Sequence, residues 1–154
     1  MKLLEVLIFS FFTSFLISLV SCEVTKDQST PMPIFKRLPI IYYGCNLQAL
    51  ETIIIRNQFT FDSTFDPGLV VKTPSLQNID LNKYDVLVGA DVYTHGIDSL
   101  GFKLEKLNNL EYNFNIWVYY LLTLPAGNFY YGIIVDKLPA DSKVNFILKK
   151  LNEK

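Results

Sequence analysis

Histidine is the side chain that titrates nearest neutral pH, and this chain has one, His95, in the run Ala90-Asp91-Val92-Tyr93-Thr94-His95-Gly96. An imidazole there could act as a general base or a proton shuttle. Either role needs a carboxylate or second base close by. Asp91, Asp98 and Glu105 are near in sequence, but none stands at a diagnostic spacing. A lone histidine is more often a surface or hydrogen-bonded structural residue. One His and the cysteine Cys45 supply too few nitrogen and sulfur ligands for a closed zinc site, so no cofactor is expected. The second cysteine is Cys22. Tyr119 and Tyr130 could stack bases, although such residues more often cover a neighbouring strand. Lys143, Lys149, Lys150 and Lys154 make a weakly basic end, which reads first as a solvated face.

The elements that must position these residues follow from periodicity. Leu38 to Tyr43 read as a strand, with Pro39 near its start where a missing donor is tolerated. Residues 46–57 read as an amphipathic helix, capped by Asn46, with Leu47, Leu50 and Ile54 at i, i+3 and i+7. The isoleucines Ile53-Ile54-Ile55 lower helix propensity, so that helix would rest on burial. Residues 58–83 read as a partly irregular excursion, with a turn at Asp66-Pro67-Gly68 and a short strand at Leu69-Val70-Val71. Tyr84 to Val88 is a further strand. From Tyr112 to Leu124 apolar and aromatic residues hold alternate positions, the pattern of a long central strand. Pro125-Ala126-Gly127-Asn128 turns the chain, and Phe129 to Val135 reads as its hairpin partner. The tail from Val144 fits strand or helix. One helix followed by antiparallel strands implies an α+β fold, the helix packed on one sheet face.

Half of the 154 residues are apolar and 14% are aromatic, so the chain can build a core and is not disordered. The net charge is −1, which gives no sequence-wide attraction for nucleic acid. Residues 1–22 have the anatomy of a secretory signal: Lys2, then an apolar run, then Val20-Ser21-Cys22 before the polar Glu23-Val24-Thr25-Lys26-Asp27. Cleavage between Cys22 and Glu23 would leave Cys45 as a lone, buried thiol. Cleavage after Ser21 would allow a Cys22–Cys45 bridge. Residues 23–36 read as an extended polar leader with Pro31 and Pro33, and 37–154 as a single domain. No second run is apolar for long enough to hold the mature protein in a membrane.

Two stretches together resemble the fungal guanyl-specific ribonuclease family, and especially its offshoot, the ribonuclease-like secreted effectors of powdery mildew fungi. Tyr43-Gly44-Cys45, soon after an export signal, is similar to the Tyr-x-Cys motif of those effectors. Tyr93-Thr94-His95-Gly96-Ile97-Asp98-Ser99-Leu100-Gly101-Phe102 is similar to the Tyr-Pro-His stretch of the active enzymes, where Gly-Phe follows the His at the same distance. The resemblance spans most of residues 40–150. It implies one helix packed on a twisted antiparallel sheet, with Tyr93 binding substrate phosphate and His95 assisting a catalytic Glu. The rest of that machinery is missing. The Glu would fall near Tyr120-Leu121-Leu122-Thr123, and Leu121 cannot accept a proton. The phosphate-clamping Arg would fall near Tyr131-Gly132-Ile133. The second His would fall near Leu148-Lys149, where Lys149 could hold a phosphate but is a poor base. The carboxyl-terminal cysteine that pairs with the Tyr-x-Cys cysteine is absent.

The sequence therefore leads to a secreted, catalytically inactive ribonuclease-like virulence effector. It would act as a monomer in the host plant cell cytoplasm by binding RNA or a host protein, with an immune receptor as a further partner. Tyr93, His95 and Lys149 are the candidate phosphate contacts. Two rivals stand beside this reading. One is an active ribonuclease using Tyr93, His95 and a carboxylate such as Glu105 or Glu111. The other is a bacterial surface lipoprotein anchored through Cys22, because Leu19-Val20-Ser21-Cys22 also fits a lipobox.

Overall fold

The computed structural model describes residues 29–120 and 126–152. The expected export signal, its expected cleavage point at Cys22 and Glu23, a Cys22–Cys45 bridge, Leu121 and Lys154 lie outside the described residues. The chain is α+β and strand-rich. Its elements are β1 (Thr30–Met32), β2 (Lys36–Arg37), β3 (Thr52–Ile55), helix α1 (Gln58–Thr64), helix α2 (Pro67–Lys72), a 3-10 turn at Pro74–Leu76, then β4 (Tyr84–Tyr93), β5 (Ile97–Lys106), β6 (Glu111–Tyr120), β7 (Gly127–Asp136) and β8 (Lys143–Asn152). They form two four-stranded sheets. The middle sheet has the order β2-β7-β4-β3 and the outer sheet β1-β5-β6-β8. Among the described residues no helix is long and apolar enough to cross a membrane.

The layers follow from which faces are apolar. β4 and β7 are buried on both faces. One face of the middle sheet, with Val86, Val88, Ala90 and Ile134, packs under Phe61, Phe65, Leu69 and Leu76 of the helical segment. The other, with Leu87, Ile133 and Val135, packs on Phe102, Leu104, Phe114 and Ile116 of the outer sheet. Helices, middle sheet and outer sheet thus make three layers around two apolar cores.

The expected helix over 46–57 does not form. Thr52–Ile55 is instead an edge strand paired antiparallel with Val86–Gly89. The β-branched isoleucines favour that extended state. Leu50, expected to be buried, is 75% exposed, with φ 68°. Asn57 then caps α1, its side chain accepting from the Thr60 N–H at 2.9 Å. Leu69-Val70-Val71, expected as a strand, lies inside α2. Leu38 to Tyr43 are largely irregular and touch β7 through an isolated bridge from Ile41 to Tyr130.

The expected hairpin between β6 and β7 does not form either. β7 pairs with β4 from Tyr84↔Asp136 to Tyr93↔Gly127, in the other sheet. β6 pairs antiparallel with β5 and parallel with β8, which settles the tail as a strand. The reason is burial. β6 carries Asn113, Trp117 and Tyr119 on one face and suits a two-layer edge of the core. β7 is apolar on both faces and must lie between two layers.

A buried ion cluster closes one end of the middle sheet. Asp85 is fully buried on β4. Lys137 Nζ lies 2.9 Å from Asp85 Oδ1, and Arg56 Nε lies 3.7 Å from Oδ2. The Leu138 N–H donates to Oδ2 at 3.1 Å. Lys137 also donates to the carbonyls of Arg56 at 2.9 Å and Leu81 at 2.6 Å. Arg56 in turn donates to the carbonyls of Ala140 and Ser142. Removing one partner leaves a buried carboxylate short of compensation. Lys137→Met should therefore cost about 3 kcal/mol in urea unfolding. Lys83→Met, which breaks the exposed Lys83–Asp80 pair, should cost at most about 0.5 kcal/mol.

Candidate functional site

The residues that could do chemistry gather at the opposite end of the sheets. Here β4 finishes at Tyr93, a turn carries Thr94, His95 and Gly96, and β5 begins at Ile97. Ile97 pairs with Tyr120, the last residue of β6, and Tyr93 pairs with Gly127, the first of β7. His95 is exposed. Its Nδ1 lies 2.9 Å from the Thr94 hydroxyl, and its ring meets Tyr120 edge-on at 6.2 Å between centroids. Tyr93 is half-buried between Tyr42 (5.6 Å) and Phe129 (6.4 Å). Its hydroxyl occupies the space a side chain on residue 127 would need: a Cβ on Gly127 would sit 2.8 Å from the Tyr93 oxygen.

Two carboxylates stand at this end: Asp98, exposed at the start of β5 and accepting from the Ser99 hydroxyl at 3.1 Å, and Asp91, on the face of β4 toward the outer sheet. Asp91 is buried and already committed. Lys150 Nζ lies 3.1 Å from Oδ2, and the Val92 N–H donates to Oδ1 at 2.7 Å. Lys150 also donates to the Val92 carbonyl at 3.3 Å, so β8 is tied across to β4. Burial, and less strongly the charge of Asp91, raise Tyr120 above its ordinary pKa, while Lys150 opposes the shift. Tyr131 is raised by deeper burial and by Asp91. These tyrosines stay protonated at neutral pH and can donate hydrogen bonds.

Lys149 is separated from this group. Successive residues of β8 face opposite ways. Lys150 reaches Asp91 between the sheets, while Lys149 lies on the outer face, its ammonium 5.9 Å from the Trp117 ring centroid. The structure therefore brings Tyr93 and His95 to one end of the fold and replaces Lys149 there with Lys150. Sequence reasoning missed Asp91 as the partner of Lys150. The signal was a pair of acids, Asp85 and Asp91, inside an otherwise apolar strand. Tyr119 is exposed beside Trp117, but Tyr130 is buried under the helical layer and offers no face for stacking.

The carboxylates of the enzyme reading are remote. Glu105 lies eight residues along β5 from Ile97, and Glu111 nine along β6 from Tyr120, on the order of 25–30 Å from the His95 end. Glu105 is held below the usual carboxylate range, chiefly by its hydrogen bond with Lys103 and also by Ser29 and Asn115, which makes it a weak base. Among the described residues no three of His, Cys, Asp and Glu gather to hold a metal.

Tyr43-Gly44-Cys45 forms a clasp on the helical segment. Gly44 takes φ 78°, a left-handed conformation, and a Cβ there would meet Leu69 Cβ at 2.9 Å. Its carbonyl accepts from the Asp66 N–H at 2.9 Å, and Cys45 bridges to Phe65. Tyr43 is 67% exposed and, with Tyr42, Leu69 and Lys72, lines a cleft of about 210 Å³. The Cys45 thiol is free and buried, and burial pushes its pKa up to about 11.

No family model matches the chain, and neither curated proteins nor solved structures provide a match.

Two outcomes follow from this geometry. The folded state holds the Cys45 proton more tightly than the unfolded chain, whose thiol titrates near the ordinary value of 9.0. That contribution to stability is complete below about pH 9 and is lost as pH rises toward 11. The urea midpoint should fall between pH 9 and 10, and Cys45→Ala should flatten the fall. Separately, Lys150→Met strands the Asp91 carboxylate and should cost about 2 kcal/mol, whereas Lys149→Met should stay within about 0.5 kcal/mol.

Proposed function

We propose that the protein is a secreted virulence effector that acts by binding rather than by catalysis. Its partner is a host protein. The two stretches Tyr43–Cys45 and Tyr93–Phe102 mark a ribonuclease-like ancestry, with the activity lost. The observation that carries the reading is the state of the His95 end. Among the described residues no carboxylate pairs with His95: its Nδ1 lies against the Thr94 hydroxyl, Asp98 accepts from Ser99, Asp91 is buried and neutralised by Lys150, and Glu105 and Glu111 lie far along their strands. General acid–base cleavage needs two groups within hydrogen-bond reach of one substrate, directly or through a water.

A protein partner is favoured over RNA on two grounds. The chain carries a net charge of −1, and lysines Lys103, Lys137 and Lys150 each lie against a carboxylate. Binding of RNA rests on uncompensated cations that release counterions. Meanwhile Tyr42, Tyr43, Phe59 and Val71 expose large apolar groups on the helical side. Such groups are enriched at protein interfaces.

The test is a titration of the exported protein against a mixed RNA pool, reading cleavage and binding in the same samples at low and physiological salt. Neither signal is expected. Cleavage that His95→Ala abolishes would overturn the proposal and make Tyr93 and His95 catalytic. Salt-sensitive binding without cleavage would make RNA the ligand instead.

A further inference from the structure

The core of the outer sheet is unfinished along β8. This strand pairs with β6 over its full length, from Glu111↔Lys143 to Tyr120↔Asn152, without a bulge. It is the last strand of its sheet, so its far edge has no neighbour among the described residues. Alternate backbone N–H and C=O groups along that edge face outward. The side chains tell the same story. On β6, Phe114 and Ile116 are fully buried. Their neighbours on β8, Phe146 and Leu148, are only half-buried, as is Val144. An apolar strip therefore runs along an open strand edge.

The other face of β8 mixes two lysines with Asn145, Ile147 and Leu151. Lys143 and Lys149 lie on it, Lys143 with 74% of its side chain exposed and 3.9 Å from Glu111. Lys149 rests near Trp117 with no carboxylate partner among the described residues. β8 itself contains no acid, proline or glycine.

We infer that β8 is the docking edge for an extended peptide of a partner protein in which apolar and acidic residues alternate. The inference rests on the reading above that the partner is a protein. The added strand supplies backbone hydrogen bonds to the open edge. Its apolar residues cover Val144, Phe146 and Leu148 between the layers, and its acidic residues face Lys143 and Lys149 on the solvated side. The same lysines disfavour a second copy of this chain. Antiparallel pairing of two β8 strands centred on Phe146 would set Lys143 of one opposite Lys149 of the other, and like charges directly opposite are destabilising. Lysine on an edge strand blocks indiscriminate pairing while selecting an acidic partner.

The probe is a labelled peptide alternating Val and Glu over about six residues, the usual strand length. Its control has the same composition in two blocks. Both are titrated into the exported protein by fluorescence anisotropy, with hydrogen exchange read along the chain. The alternating peptide should bind, more weakly at high salt, and should slow exchange within residues 143–152. The Lys143→Glu, Lys149→Glu double variant, checked for native circular dichroism, should bind about tenfold more weakly. Equal binding of the blocked peptide, protection elsewhere or no binding would each overturn the inference. So would dimers whose protection maps to β8. If the peptide fails and RNA also fails to bind, the protein-partner reading stands and β8 alone is removed from it. Salt-sensitive RNA binding would remove the reading beneath.

Discussion

A single buried carboxylate, Asp85, holds the middle sheet in place. β4 and β7 are apolar on both faces, and that creates a problem of register. Where one face of a strand is wet, a slip by one residue turns the apolar set into water and is penalised. Where both faces are dry, a slip exchanges one buried apolar residue for another and costs little. Asp85 removes the degeneracy. Only one alignment sets it beside Lys137 and Arg56 and under the Leu138 N–H. The desolvation of these charges offsets much of their attraction, so the cluster is better understood as a selector of register than as a source of net stability. At the far end of the same strand, Asp91 and Lys150 repeat the device, this time between the two sheets. β4 is fixed at both ends by charge and filled between by Leu87 and close-packed tyrosine.

The same residues explain what the sequence could and could not reveal. Alternation made β6 visible, and burial on both faces made β7 visible as a strand. Which strands pair is a different question. Short connections favour hairpins, and the turn between β6 and β7 has the composition of one. Pairing was decided by the number of buried faces, a property of the assembled layers. The segment 46–57 went wrong for a related reason. Leu47, Leu50 and Ile54 fit a helical stripe, yet Ile53 to Ile55 also fit an edge strand, and β4 offered a partner along Val86–Gly89. Tertiary pairing overrode the local pattern, in the direction that β-branching favours.

The candidate site was legible as positions but not as an arrangement. Tyr93 and His95 were singled out by residue type, and both lie at one end of the sheets. Lys149 and Lys150 are adjacent in sequence, so only strand facing could tell them apart. In a parallel pair with β6, Lys150 falls on the inner side with Asp91, and Lys149 falls over Trp117. A one-residue difference separates a lysine that joins the sheets from one that faces solvent. The ion cluster around Asp85 drew no attention because Arg56, Asp85 and Lys137 are far apart in the chain and each looks like an isolated charge beside an apolar run.

This division of labour bears on how such a protein can change. The register of the middle sheet depends on the buried carboxylates Asp85 and Asp91, whose pairs are intolerant of single replacement. The outer face of the outer sheet is different. Its pairs Lys103–Glu105 and Lys143–Glu111 sit on exposed or half-exposed side chains, where a pair contributes at most about 1 kcal/mol. Replacing those residues alters the charge and shape of the outer surface while leaving the register of β4 and β7 untouched. A fold organised in this way can vary its surface along β5, β6 and β8 at little cost to folding, which is the physical condition that the proposed binding function would require.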